Sequence, residues 1–472
     1  MKKIVVLGGG ISGLATAYLI KTQAQAANLD IELKIIEKDS RSGGKFRSEA
    51  VDGYLCEWGP NGFLTNKPQT LQLCRELGID TELLASNDNA RKRFIFCDGK
   101  LHKLPHSPME FLTNSLISWP GKLRIAGEFF VPQRTASDDE SLSDFTTRRL
   151  GKEALNKLIA PMASGVFAGN ADTMSLKAAF PRIHQLEQQY GGLLKAMLRL
   201  IYQHRQAKKR GEVVASPAGP GGVLTSFQNG IETLSQRLQQ QFTASEISLH
   251  SEVKQVVYTG SQWEIHTESG MEIADIVISA LPAYALAKII AATDQTLAQL
   301  SARINYAPLA VVCLGYDLAQ VAHDCNGFGY LMARGETIPV LGTLWDSQIF
   351  AKRAPDGKIL FRTMLGGAAR RDLIDLDDQE LQRLVEKNLA TTMQVSGKPE
   401  FVKIYRHIEA IPEYNIGHPQ LVDEIMQTAA KYPGLFIGGN AFNGVGINDC
   451  VANSYKISEQ VIKLLKQPAE KN

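Results

Sequence analysis

VVLGGGISGLATAYLIKTQ, residues 5–23, passes from an apolar strand through three consecutive glycines into a helix of small residues. Gly8, Gly10 and Gly13 form G-x-G-x-x-G between an expected strand, Ile4 to Leu7, and an expected helix from Ser12 to about Gln25. Gly8 permits the tight turn, Gly10 lets the backbone approach a pyrophosphate, and Gly13 allows close helix–strand contact. A phosphate there meets the free N–H groups that begin at Ile11 and Ser12, at the positive end of the helix dipole. A glycine turn with no ligand is the plain alternative, so the motif needs support from the rest of the chain.

That support follows at once. A second strand, IELKIIEK, ends at Glu37 and Lys38, and Glu37 lies 24 residues past Gly13. A carboxylate in that position accepts hydrogen bonds from ribose hydroxyls and repels a 2′-phosphate; the alternative is a solvated residue at a strand end. The next residues, EKDSRSGGKF, set Arg41, Gly43, Gly44 and Lys45 where the chain recrosses the dinucleotide. A nicotinamide cofactor that comes and goes needs no second clamp, whereas a tightly held FAD makes use of one. At the other end, residues 432–465 read as a short strand, Leu435 to Ile437, then glycines, then a helix from about Asn448. Gly438, Gly439 and Asn440 can approach the ribityl and phosphate region. Val445, Gly446 and Ile447 lead into a helix whose dipole favours negative charge on the N1–C2=O edge of the flavin. In the middle, NGIETLSQRLQQQF reads as a helix, and residues 246–283 alternate as strands that place Val253 for a backbone contact to adenine. Three separated segments describe one ligand, FAD.

At 472 residues and 44% hydrophobic the chain can bury a core for two or three domains. Fifty-one Lys plus Arg against 49 Asp plus Glu leave a formal charge of +2, which points away from a nucleic-acid partner. Six cysteines form no CxxC pair and no zinc spacing, as expected of reduced cytosolic thiols. No metal site is expected; His323 and Cys325, close in sequence, read as a loop. No leader and no apolar run of about 20 residues is visible, so the expected location is cytoplasmic, with at most peripheral attachment to the inner face of the membrane.

With these residues in view the sequence resembles a known family. The opening GGGISGLATAYLI, with EKDSRSGGKF and GPNGFL, is similar to the glutathione-reductase-like group that includes amine oxidases and phytoene desaturases. RKRFIFCDGKLHKLP, MASGVFAGNADTMSL, NGFGYLM, AIPEYNIGH and GVGINDCV resemble the oxygen-dependent porphyrinogen oxidases of haem biosynthesis, over nearly the whole chain. The resemblance implies an α/β fold: a Rossmann-like FAD domain of the p-hydroxybenzoate-hydroxylase type, a substrate-binding sheet and a helical insertion. It implies a six-electron oxidation of protoporphyrinogen IX or coproporphyrinogen III, in three two-electron rounds through FAD to molecular oxygen, yielding hydrogen peroxide. Arg93 matches a position that pairs with a substrate propionate, Leu331, Leu344 and Met364 match residues that sandwich the tetrapyrrole, and Gly169 matches a backbone position near the ring. No catalytic side chain is expected, because a positioned C–H bond and a flavin suffice. Asn448 stands where proline is common, and Asn170 where aspartate is; the first is expected to loosen the flavin helix slightly.

The expected layout is a discontinuous FAD domain, 1–105, 216–290 and 401–472, with a helical insertion at 106–215 and a substrate domain at 291–400. Without the resemblance, Leu331, Leu344 and Met364 read as core strand residues and Arg93, after Arg91 and Lys92, as part of a solvated basic face. Phe111, Leu112, Leu116, Trp119, Leu123, Ile125, Phe129 and Phe130 suit a surface that lies on a bilayer or leads substrate inward; a packed helix pair is the alternative. QHRQAKKRGEVVASPAGPGG reads as an exposed loop. A homodimer is compatible with this layout. Two rivals remain: an amine oxidase or carotenoid desaturase on the same scaffold, and a flavin-less escort protein.

Overall fold

The computed structural model describes residues 1–136, 138–210 and 222–467. Its nucleotide half is a five-stranded parallel sheet in the order Ile247–Ser248, Ile31–Ile36, Lys2–Leu7, Ile276–Ser279, Leu435–Ile437. The central strand shows why it is central. Ile4 and Val6 point into one apolar cluster and Val5 and Leu7 into another, so both faces are buried and the run is continuously hydrophobic. The first face is covered by helices Ile11–Ala26 and Ile447–Leu465, which touch where the Ser454 hydroxyl donates to the Ser12 carbonyl at 3.1 Å. The second is covered by an antiparallel meander, Val253–Tyr258, Trp263–Thr267 and Gly270–Ala274, and by helices Ala283–Ile290 and His418–Ala429.

A seven-stranded sheet forms the other half, in the order Phe401–Pro412, Tyr306–Asp317, Lys358–Gly366, Val340–Trp345, Gly329–Met332, Phe94–Cys97, Lys100–Lys103. One face packs on helix Asp378–Met393, where Tyr330, Thr343, Thr363 and Asn388 form a buried hydrogen-bonded group. This sheet departs from the layout read in the sequence. Strands 94–97 and 401–412 pair with it rather than with the parallel sheet, through ladder partners far away in the chain, Leu331 for Ile95 and Val311 for Tyr405, and strand 100–103 joins as the hairpin neighbour of 94–97.

Between the halves sits a helical layer, including Trp119–Ala126, Leu142–Arg149, Ala160–Phe167, Pro181–Tyr190 and Leu193–Lys209. Its centre is an ion pair with no solvent exposure: Arg149 Nε donates to Glu128 at 2.8 Å. The pair is stable there because both ends are satisfied. Glu128 also accepts the N–H groups of Leu193 and Leu194, which open the last of these helices, and Arg149 donates to the Gly191 carbonyl. That helix takes in Gln203 to Lys209, residues expected in an exposed loop; residues 211–221 of the expected loop lie outside the described residues. Among the described residues no helix is long and apolar enough to cross a membrane.

Candidate active site

At the first turn, Gly8 has φ +97°, the left-handed region open to glycine, and its N–H donates to Ile36 at 2.8 Å. Helix Ile11–Ala26 begins behind Gly10 with no side-chain cap and no acidic residue in its first turn. Its N–H groups are therefore free for an anion. A Cβ on Gly10 would meet nothing within 4 Å, whereas one on Gly13 would lie 1.9 Å from the Gly8 carbonyl oxygen. Gly10 thus faces open space and Gly13 is the point of closest packing, which is the division of labour expected of a dinucleotide cradle.

Glu37 is buried and its two oxygens accept the N–H groups of Gly9 (2.6 Å) and Asp39 (2.9 Å). Each oxygen keeps a second lone pair for a ribose hydroxyl. Exposed Lys38 follows it. The segment before Val253 runs alongside: Ser251 N–H donates to the Glu37 carbonyl at 2.9 Å, so the start of that strand lies beside the acid. Gly43 bridges to Gly10, with its N–H on the Gly9 carbonyl at 2.7 Å. Arg41 has partners within the protein. It donates to the carbonyls of Ser42, Gly44 and Phe46 and pairs with Glu232, so it braces the Gly43–Gly44 turn from within. Lys45 reaches across to the second half, holding the carbonyls of Glu409 and Ala410 above the Tyr306 ring. Burial pushes its pKa down to about 8.

The C-terminal loop is held by Tyr414, whose hydroxyl donates to Asn440 O at 2.6 Å and accepts from Gly444 N–H at 2.8 Å, while its ring stacks on His418. Gly439 has φ +110° between the strand and this loop. Gly446 precedes helix Ile447–Leu465. Asn448, where proline is common, stands in the first turn of this helix. Its amide donates to Leu64 O at 2.8 Å and accepts from the Thr70 hydroxyl at 2.6 Å, side-chain anchors that proline could not supply.

Ladder register places the substrate-side candidates on one face of the seven-stranded sheet, opposite helix Asp378–Met393. Leu331 pairs with Gly342 and Gly342 with Met364, while Leu344 lies two residues beyond Gly342, opposite Arg362. Arg93 lies just before strand Phe94–Cys97, and its contact with the Phe328 ring, which packs in the same cluster as Leu344, brings it to the same side. Its guanidinium is solvent-accessible yet closely surrounded, and burial lowers its pKa. Among the described residues no carboxylate pairs with it; its neighbour is the Phe328 ring at 5.1 Å. Leu331 is wedged against helix Ala160–Phe167, where a Cβ on Gly165 would meet its Cδ2 at 2.4 Å. Gly169 packs against Phe167 and Met174, and Val445 joins the same cluster, so the helical layer links the slot to the C-terminal loop.

Sequence reasoning missed two features. Asn61, in the GPNG loop, carries a buried amide nitrogen with no hydrogen-bond partner among the described residues, a donor waiting for a group. Arg362 is buried on the slot face; an arginine inside the apolar run KILFRTML was the available signal. His323 and Cys325 form a local turn, Cys325 N–H to His323 Nδ1 at 2.9 Å.

The family model for flavin containing amine oxidoreductases matches residues 11–462. The chain belongs to this family. FAD is its cofactor, and the uncapped helix, the open space at Gly10 and the orphan amide of Asn61 fit it. The family member is 30% identical to the coproporphyrinogen III oxidase of Bacillus subtilis, over 95% of this chain and 96% of that one. It is 30% identical to the protoporphyrinogen oxidase of Bos taurus, over 98% of each. A crystal structure from Exiguobacterium sp. 255-15, provisionally assigned as a protoporphyrinogen oxidase, superposes with a TM-score of 0.81 at 27% identity, covering 98% of each chain. Putrescine oxidase, at 14% identity and a TM-score of 0.69, shares the fold.

Proposed function

We propose that this flavoenzyme oxidises a porphyrinogen, protoporphyrinogen IX or coproporphyrinogen III, to the corresponding porphyrin in haem biosynthesis, with molecular oxygen as final acceptor. The observation that carries the reading is the arrangement at one sheet face: three apolar side chains, Leu331, Leu344 and Met364, and an exposed cation, Arg93, which has no acid partner among the described residues, whereas buried Arg362 has Asp346. A flat apolar macrocycle bearing carboxylates matches that combination. Arg93 can pair with a propionate by a charge-assisted, two-pronged hydrogen bond. The leucines and Met364 exclude water and hold the ring. Bound FAD supplies the two-electron acceptor that takes hydride from a bridge carbon. The Gly8–Gly13 turn and the Gly43–Gly44 clamp fix the nucleotide, and helix Ile447–Leu465 presents its N-terminus to it.

The same reading extends to peripheral membrane contact. Trp119, Leu123 and Phe130 are 64%, 71% and 83% exposed, and Lys195 lies over the ring of Phe129; a bilayer surface covers such a mixture well. Side-by-side assays with both porphyrinogens, reading porphyrin fluorescence as it appears, test the function. Neither substrate being converted by flavin-loaded protein overturns it. Flotation with anionic liposomes tests the membrane contact, and absence of co-migration overturns that part.

A further inference from the structure

Four charged side chains lie buried between the two halves, all 3% exposed or less: Glu57, Asp346, Arg353 and Arg362. Arg353 and Glu57 are 3.6 Å apart and tie strand Tyr54–Glu57 to strand Leu224–Phe227, where Arg353 donates to the Phe227 and Gln228 carbonyls. Arg362 does something different. It stands opposite Leu344 in the ladder and two residues before Met364, within the floor of the apolar slot. Its Nη1 donates to the Gly59 carbonyl at 2.8 Å and to Glu57 O at 3.4 Å, and its Nε lies 2.9 Å from Asp346 Oδ2. Among the described residues neither Asp346 oxygen makes a hydrogen bond, so the acid balances charge rather than fixing the guanidinium's direction. The direction comes from the loop carbonyls.

A leucine would fill this position in an apolar floor at lower cost than a buried ion pair. What leucine could not do is hold Gly59. A Cβ on Gly59 would fall 2.8 Å from the Lys45 carbonyl, so the loop is pressed between Arg362 on one side and the segment after Gly44 on the other. Gly44 in turn lies against Gly10, where an added Cβ would be 3.3 Å from the Gly10 Cα. A continuous line of contacts therefore runs from the slot floor through Arg362, Gly59, Lys45 and Gly44 to the nucleotide turn.

We propose that Arg362 is a positioning residue: by clamping the carbonyls of Glu57 and Gly59 it sets the separation between the slot floor and the cofactor-side loop that carries Asn61, and so the approach of substrate to flavin. The inference rests on the proposed porphyrinogen reaction for its kinetic consequence only. Transfer between two bound groups depends steeply on that separation, so loss of the clamp acts on kcat more than on KM.

The test is the pair variant Arg362→Leu with Asp346→Ser, which removes both charges and leaves neither buried alone, beside Arg362→Lys, which keeps a donor for the loop. The expected result is wild-type flavin content, KM within about threefold, kcat lower by about tenfold or more, and visible flavin bands displaced from those of the wild type. Arg362→Lys recovers at least half of the lost rate. A pair variant with wild-type kcat and an unchanged flavin spectrum overturns the inference. So does equal loss of flavin and of rate in both variants, which marks simple packing. Should the pair variant not fold, Arg362→Lys decides alone: a lowered kcat with displaced flavin bands and full flavin content supports the clamp, and wild-type values of both overturn it. If the wild-type protein converts no porphyrinogen, the proposed function fails, while the flavin spectra still decide the role of Arg362.

Discussion

Replacing Gly13 by alanine tests the nucleotide turn where its geometry is least forgiving. The new methyl carbon would sit 1.9 Å from the Gly8 carbonyl oxygen, against about 3.4 Å for an ordinary contact, with the Ala280 methyl also at 3.4 Å. Relief needs a shift of roughly 1.5 Å between helix and turn. Neither side is free: Leu14, Ala15 and Ala17 are buried on the helix, and Gly8 is held by Ile36. Forced overpacking of this kind costs about 1–3 kcal/mol, and the displaced helix N-terminus no longer meets the pyrophosphate. The assay is flavin absorbance per protein, together with denaturant unfolding of the flavin-free form. Gly10→Ala is the partner measurement, because its Cβ meets no protein atom. It should leave the flavin-free stability unchanged while lowering flavin content. A Gly13→Ala protein with wild-type stability and full flavin would refute the packing argument; a Gly10→Ala protein with full flavin would refute the placement of phosphate beside that residue.

Three further outcomes are expected. Arg93→Ala should raise KM for a porphyrinogen by about 10- to 100-fold, the worth of one charged hydrogen bond, with flavin content unchanged; steady-state kinetics reads it. Gly165→Ala, on helix Ala160–Phe167, should push the Leu331 side chain into the slot, since the added Cβ lies 2.4 Å from it. KM should then rise with no change in the flavin spectrum. His418 is buried and neutral, with its pKa pushed down to about 4 from 6.5. Between those values the unfolded chain binds the extra proton, so stability falls as pH drops from 6.5 to 4. His418→Gln should flatten that part of the curve in denaturant titrations across pH.

The nucleotide half was legible because its signals are local. Residues 4 to 37 contain strand, turn, helix, strand and the terminal carboxylate in one unbroken run, and Leu435 to Ile437 with Gly438 repeats the logic. The second half was not, because strand pairing there is set by partners distant in sequence, up to 236 residues apart for Ile95 and Leu331. Ile95 and Leu331 are neighbours only through the ladder, and no periodicity in either segment announces it. The grouping of Leu331, Leu344 and Met364 as ring contacts came from resemblance; that they share one face of the sheet follows from ladder register, which the sequence does not show. Arg41 shows a different limit: the cation beside two glycines is legible in the sequence, while its bonds to three backbone carbonyls and its pairing with Glu232 are not. Asn448 reads as a lost proline until its two side-chain bonds are seen.

Strand Lys2–Leu7 lies between Ile31–Ile36 and Ile276–Ser279, and the sheet ends on Leu435–Ile437. During synthesis the first glycine turn therefore emerges long before one of its flanking strands and the helix that seals it. Until Ile276–Ser279 is made, one edge of Ile4 to Leu7 stays unpaired, and one face of the sheet stays uncovered until helix Ile447–Leu465 follows. Loss of even the final helix would strip the cover from the earliest part of the fold, so a short truncation at the carboxyl end should be as damaging as one at the amino end.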